Sequence, residues 1–225
     1  MKWTKTQTAI AKGELLAAKE ALALAVANGE DIHAPDEFGS NLFHTAVAYG
    51  NVELLDHLAS LGLDVNLRDE DENMPIHTAA MHSNAAMITE IVRLGGEINA
   101  PDPQGNTPLH LATSHGRTDE ALQLIALGAN VNALNHNNEN ALQYGANNYA
   151  KLPVAHALIA AGIDVDNKNI FNMDAMQIAN ESNNAAVVQA IRSIASAAVK
   201  QVIDEAFDSA TSSKPVKTKT SGMSL

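Results

Sequence analysis

Cysteine is missing from all 225 residues, and with it any disulfide framework, any thiolate-ligated zinc or iron–sulfur site and any thiol nucleophile. Positive charge is scarce: 14 Lys and Arg stand against 26 Asp and Glu, a formal net charge of −12. Nucleic acids and anionic membranes, which bind through clustered cations, are therefore poor partners. Long apolar runs are lacking too. Leu15–Val26 is broken by Lys19 and Glu20 and is too short to span a bilayer, and the opening MKWTKTQTAIAKG lacks the apolar stretch of a secretory signal. A soluble, cytoplasmic chain is expected, and its 46% apolar content is enough to bury a core.

What the chain has instead is a period. Glycines that close short apolar stretches recur as Gly29, Gly62, Gly95, Gly128 and Gly162, at intervals of 33, 33, 33 and 34 residues. Four residues after each stands His33, Asn66, Asn99, Asn132 or Asp166. A second signature keeps step: Asn-Leu-Phe-His44, Met-Pro-Ile-His77 and Thr-Pro-Leu-His110, then Ala-Leu-Gln143 and Ala-Met-Gln177. Asp36, Asp69 and Asp102 open the units, with Asn135 and Asn169 in their place later.

Within one unit, Thr107 suits an N-cap and Pro108 a first helical position, so Pro108–His115 reads as a short helix stopped by Gly116. Thr118–Leu127 reads as a second helix, with Leu122, Leu124, Ile125 and Leu127 largely on one face and Gly128 as its stop. The unit is helix, turn, helix, extended loop.

The unit Asp102–Ala133, DPQGNTPLHLATSHGRTDEALQLIALGANVNA, resembles the ankyrin repeat almost position for position, and the likeness runs over roughly Glu30–Asn183. It weakens at Asn135–Asp166, where Gln143 replaces the usual histidine and one extra residue sits near Lys151–Pro153, and again at Asn169–Ile194. The fold implied is all-α, an ankyrin-like solenoid of helix-turn-helix units with extended loops, about five repeats (30–183) between helical caps.

The cap at 1–29 carries Ile10, Leu15, Leu16, Leu22, Leu24 and Val26, with Trp3 expected to seal it. At the other end, 184–208 continues an apolar stripe from Val187 to Phe207 that outruns a repeat's second helix, as either a C-terminal cap or a partner or self-association helix. The chain is thus expected to be a monomer, or a dimer through that helix. Residues 209–225, rich in Ser, Thr and Lys, read as a disordered tail that loosely resembles bacterial export signals.

Apparent chemical sites dissolve on spacing. His44, His77 and His110 sit on successive stacked helices, about 8–10 Å apart, whereas nitrogens around one zinc lie within roughly 4 Å of each other. The resemblance makes them structural, binding loop backbone, as it makes Gly62, Gly95, Gly128 and Gly162 helix stops. Asp69-Glu70-Asp71-Glu72-Asn73 starts like a calcium loop but has Met74 where glycine and Ala80 where glutamate are required. No nucleophile elbow, phosphate loop or dinucleotide fingerprint is present. Neither metal, cofactor nor enzymatic activity is expected.

The family binds protein partners through loop tips and a concave face of first helices. Aligning the units places Glu37, Phe38 and Ser40; Glu70, Asp71 and Asn73; Asn106; Glu139; and Phe171 at loop tips. Tyr49, Met81, His82, Ser114 and His115 fall at the exposed ends of first helices. Only seven Phe and Tyr exist, so those at such positions are candidate anchors. A groove anchored by Phe38, Tyr49 and Met81, flanked by Glu37, Glu70 and Asp71 and suited to a basic protein partner, is expected, with His82, His115 and Phe171 as further contacts. The resemblance also marks Asn66, Asn99 and Asn132 as positions that eukaryotic asparaginyl hydroxylases modify. The function implied is a non-enzymatic adaptor or inhibitor. A bacterial effector secreted into a host cytosol and, more weakly, a subunit of an enzyme complex are the alternatives.

Overall fold

The computed structural model describes residues 4–82, 84–194 and 201. Eleven helices follow in order: α1 (Thr4–Ala11), α2 (Leu15–Ala27), α3 (Leu42–Ala48), α4 (Val52–Ser60), α5 (Pro75–Met81), α6 (Ala85–Arg93), α7 (Pro108–Ser114), α8 (Thr118–Ala126), α9 (Ala141–Ala146), α10 (Leu152–Ala160) and α11 (Ala175–Glu181). Residues 185–194 are helical as well, and no strand occurs among the described residues. The helices form two layers. Odd-numbered helices stack in series from α1 to α11, and the even-numbered ones from α2 to α10 behind them. No helix among the described residues is long and apolar enough to cross a membrane.

Each unit builds itself from local chemistry. The first helices are short because a proline at the first position (Pro75, Pro108) or an Asn or Asp N-cap (Asn41, Asn140, Asp174) starts them late. The second helices stop where Gly62, Gly95, Gly128 and Gly162 take φ of 80–94°, a region costly for residues with a side chain. Between units, one side-chain oxygen organises each loop. Asp36, Asp69, Asp102, Asn135 and Asn169 each accept the N–H groups of the residues two and four positions on, at 2.7–3.0 Å.

The core is one continuous cluster along the stack. First helices supply large and small residues in turn, as in Phe43 with Ala46 and Leu109 with Ala112; second helices supply Leu54, Leu55 and Leu58, then Met87, Ile88 and Ile91. Small residues let the first helices approach closely, and Gly145 shows how closely. A Cβ there would sit 2.4 Å from Thr113 Cγ2 and 2.9 Å from Ala150 Cβ.

Four expectations are corrected. In α8 Leu124 is buried and Ile125 and the adjoining Leu127 pack on the core as expected, but Leu122 is at the surface and Glu120 and Ala121 are buried instead. The N-terminal pair buries Ile10 and Leu22 but leaves Leu15, Leu16, Leu24 and Val26 exposed, since α2 packs on α1 and α4 through its Ala18, Leu22 and Ala25 face. Ser114, expected at an exposed helix end, is buried and donates to the Leu111 carbonyl at 3.1 Å. Asn106 and Glu139, expected at loop tips, are buried in a polar chain described below. The extra residue near Lys151 lies in the Asn147–Ala150 turn, where the Tyr149 N–H donates to the Ser114 carbonyl at 3.2 Å and the ring points to solvent. Trp3, residues 195–200 and 202–208 of the expected C-terminal helix, and the 209–225 tail lie outside the described residues. Val187 and Ala190 are buried in the part that is described.

Candidate protein-binding groove

Rigidity of the concave side begins with the histidine ladder. The Met74 N–H donates to His77 Nδ1 at 2.9 Å, so the ring's proton is on Nε2, which donates to the Ala100 carbonyl at 2.9 Å. His44 links the Asn41 N–H (3.2 Å) to the Asn73 carbonyl (3.1 Å), and His110 links the Thr107 N–H (3.2 Å) to the Glu139 carbonyl (3.0 Å). Each imidazole thus ties the start of its own helix to the loop of the next unit. Burial pushes all three pKa values below the ordinary imidazole value, against the opposing pull of backbone hydrogen bonds and nearby carboxylates, so the rings are held neutral.

Gln143 does the same work without a titratable group. Its Oε1 accepts the Asn140 N–H at 3.1 Å and its Nε2 donates to the carbonyls of Asn167 and Met173 at 2.9 and 3.0 Å. A second ladder runs along the outer edge. Asn66 donates to the Gly95 carbonyl and accepts the Glu97 N–H, both at 3.0 Å; Asn99 accepts the Asn130 N–H at 2.8 Å; Asn132 donates to Gly162 at 3.0 Å and accepts from Asp164 at 2.7 Å. A third chain, Asp102–Asn106–Asn135–Glu139–Asn169, is buried on the loop side, with links of 2.9–3.3 Å.

On this frame a groove of about 790 Å³ opens at the N-terminal end of the stack. One wall is α1, through Gln7, Thr8 and Ala11; the other is the loop from Ala34 to Ser40, and Thr45, Ala48 and Tyr49 of α3 and its cap form the floor. Asp69 and Thr78 of the next unit close one end. Phe38 and Tyr49 line the groove and remain 63% and 58% exposed, although each has apolar neighbours within the same groove. An aromatic ring left half in water is the usual form of an interface anchor.

Of the residues expected to bind a partner, the structure brings together Glu37, Phe38 and Tyr49. Glu70 and Asp71 are exposed on the adjoining loop tip, which is joined to the first by the Glu70 N–H donating to the Phe38 carbonyl at 3.0 Å. Met81 is not in the groove. It is half-buried against the core, and its carbonyl accepts Arg117 Nε at 2.7 Å, because the first helices pack too closely to leave that side chain free. His82 and His115 are exposed at the ends of α5 and α7, outside the groove. Phe171, 70% exposed beside Ile170, marks the last loop tip, four loops away.

The α1 wall is an element of the groove that the period could have revealed. Ile10 and Leu22 stand 33 residues before Phe43 and Leu55, and all four are fully buried, so the N-terminal pair keeps the register of a repeat without its loop signature. The family model for ankyrin repeats matches the chain three times, over residues 8–102, 43–135 and 77–169. No curated protein matches it.

Proposed function

The chain belongs to the ankyrin-repeat family, whose repeats generally mediate protein–protein interaction, and from that premise we propose that it is a non-enzymatic adaptor or inhibitor whose partner docks in the N-terminal groove. The observation that carries this reading is the coincidence of the groove with the exposed Phe38 and Tyr49 rings. A closely packed, hydrogen-bonded frame presents them, so docking orders few groups, which favours affinity. The exposed Glu70 and Asp71 on the adjoining tip extend the acidic rim and steer a basic partner by long-range attraction.

The test is affinity capture from lysates with the wild-type chain and a Phe38→Ala/Tyr49→Ala variant. Both side chains are largely exposed, so the variant should melt within a degree or two of wild type. Proteins retained by the wild type and lost by the variant are the expected result. Retention of the same partners by both would remove the groove from the mechanism.

A further inference from the structure

The charge inside the groove is one-sided. Asp36, Glu37 and Asp69 line it, and among the described residues no Lys or Arg does. Arg68, next to Asp69 in sequence, is turned elsewhere, its guanidinium donating to the carbonyls of Glu72 and Pro101 at 2.6 and 3.0 Å. Asp36 and Asp69 each commit one oxygen to their own loop. The second oxygen of Asp36 takes the Gln7 amide at a long 3.2 Å, and that of Asp69 has no hydrogen-bond partner among the described residues. The same cavity holds the open faces of Phe38 and Tyr49.

Carboxylates without a countercharge beside open aromatic rings are complementary to a cation that is also flat. Arginine meets both conditions: its guanidinium donates in a planar fork to carboxylate oxygens, stacks on aromatic faces and gives up water more readily than an ammonium. A volume of about 790 Å³ takes several side chains, which suits a stretch of extended polypeptide rather than a single group.

We propose that the groove takes an extended, arginine-bearing segment of a protein partner, its guanidinium stacking on the Phe38 or Tyr49 ring and hydrogen-bonding to Asp36 and Asp69. This rests on the groove being the docking site and adds the chemistry of the occupant.

The stack contains its own control. Asn135 and Asn169 hold the same loop position as Asp36 and Asp69 and accept the same two N–H groups through Oδ1. An Asp36→Asn/Asp69→Asn variant therefore removes two charges and keeps the loops. The probe is a phage-displayed library of random dodecapeptides selected on the full chain. The strongest binder is then synthesised with arginine and with citrulline, its neutral isostere, and titrated by fluorescence anisotropy.

Selected peptides should carry arginine. Citrulline should weaken binding to wild type about tenfold, the Asn variant should weaken the arginine peptide by a similar factor, and the two losses should not add, since they remove one interaction. Rising salt should shrink both. Peptides that lose affinity with Tyr49→Ala yet bind equally well with citrulline would overturn the arginine proposal and leave the docking site standing. Peptides indifferent to Phe38→Ala/Tyr49→Ala would overturn both.

Discussion

Acid should loosen this stack through three residues, and the size of the effect follows from the histidine ladder. His44, His77 and His110 have folded-state pKa values below the ordinary 6.5, with burial as the main cause. Above that value neither the folded nor the unfolded chain protonates them, and stability does not depend on them. Below it the unfolded chain binds protons that the folded chain refuses, so stability falls with pH until the folded values are reached. Between pH 7.5 and 5.5 each such histidine costs at most RT ln(11/1.1), about 1.4 kcal/mol, and three together about 4 kcal/mol. Asp69 and Asp36 near His44, Asp102 near His77, and Asp102 and Glu139 near His110 work the other way, while Arg68 adds to the depression at His77. Those figures are therefore ceilings.

The assay is urea unfolding at pH 7.5, 6.5 and 5.5 for the wild type and for His110→Gln. Glutamine is the informative replacement because Gln143 already makes the two links in the next repeat, to the Asn140 N–H and the Met173 carbonyl. At pH 7.5 the variant should lie within about 1 kcal/mol of wild type, whereas His110→Ala, which strands the Thr107 N–H and the Glu139 carbonyl, should lose about 2–4 kcal/mol. At pH 5.5 the gap between wild type and His110→Gln should close by up to about 1.4 kcal/mol. An unchanged pH slope in His110→Gln, or a loss at pH 7.5 equal to that of alanine, would refute the reasoning.

Other consequences are as direct. Gly145→Ala forces a methyl to 2.4 Å from Thr113 Cγ2 and should destabilise by about 1–3 kcal/mol in denaturant titration, with Thr113→Ala in the same chain recovering part of the loss. Asp102→Asn keeps the Gln104 and Asn106 N–H bonds but turns a new amide N–H against the Asn106 amide that donates to its second oxygen at 3.0 Å, so it should lose about 1–3 kcal/mol in the same titration, while Asp102→Ala also leaves both N–H groups unpaired and should lose more. Asn66, Asn99 and Asn132 are engaged with the following repeat, so an asparaginyl hydroxylase must open the edge to reach them. Intact mass spectrometry should then show faster oxygen addition to a Gly145→Ala chain than to wild type, and equal rates would refute that order of events.

The period was legible because the units repeat the same local bonds: an Asp or Asn oxygen organising the loop, a histidine or glutamine tying the turn, a glycine ending the second helix. Substitution that preserves the bond hid from the pattern. Gln143 reads as a lost histidine, yet its amide accepts and donates at the same two places, so the fourth repeat is as firmly tied as the third. Burial that depends on a neighbour hid as well. Asn106 and Glu139 look like solvated tip residues until the next loop is laid against them, and only then do Asn135 and Asn169 meet their oxygens.

The groove illustrates the same limit. Phe38, Tyr49 and Glu37 were readable as candidates from their register, but a register assigns a residue to a rung and says nothing of what stands opposite. The opposite wall is α1, part of an N-terminal pair that keeps the period through Ile10 in α1 and Leu22 in α2, 33 residues before the equally buried Phe43 and Leu55. The first full loop faces Gln7, Thr8 and Ala11 of α1 across open space. The cavity, and the aromatics left open in it, therefore lie where a full loop meets a helical pair that keeps the period without the loop signature.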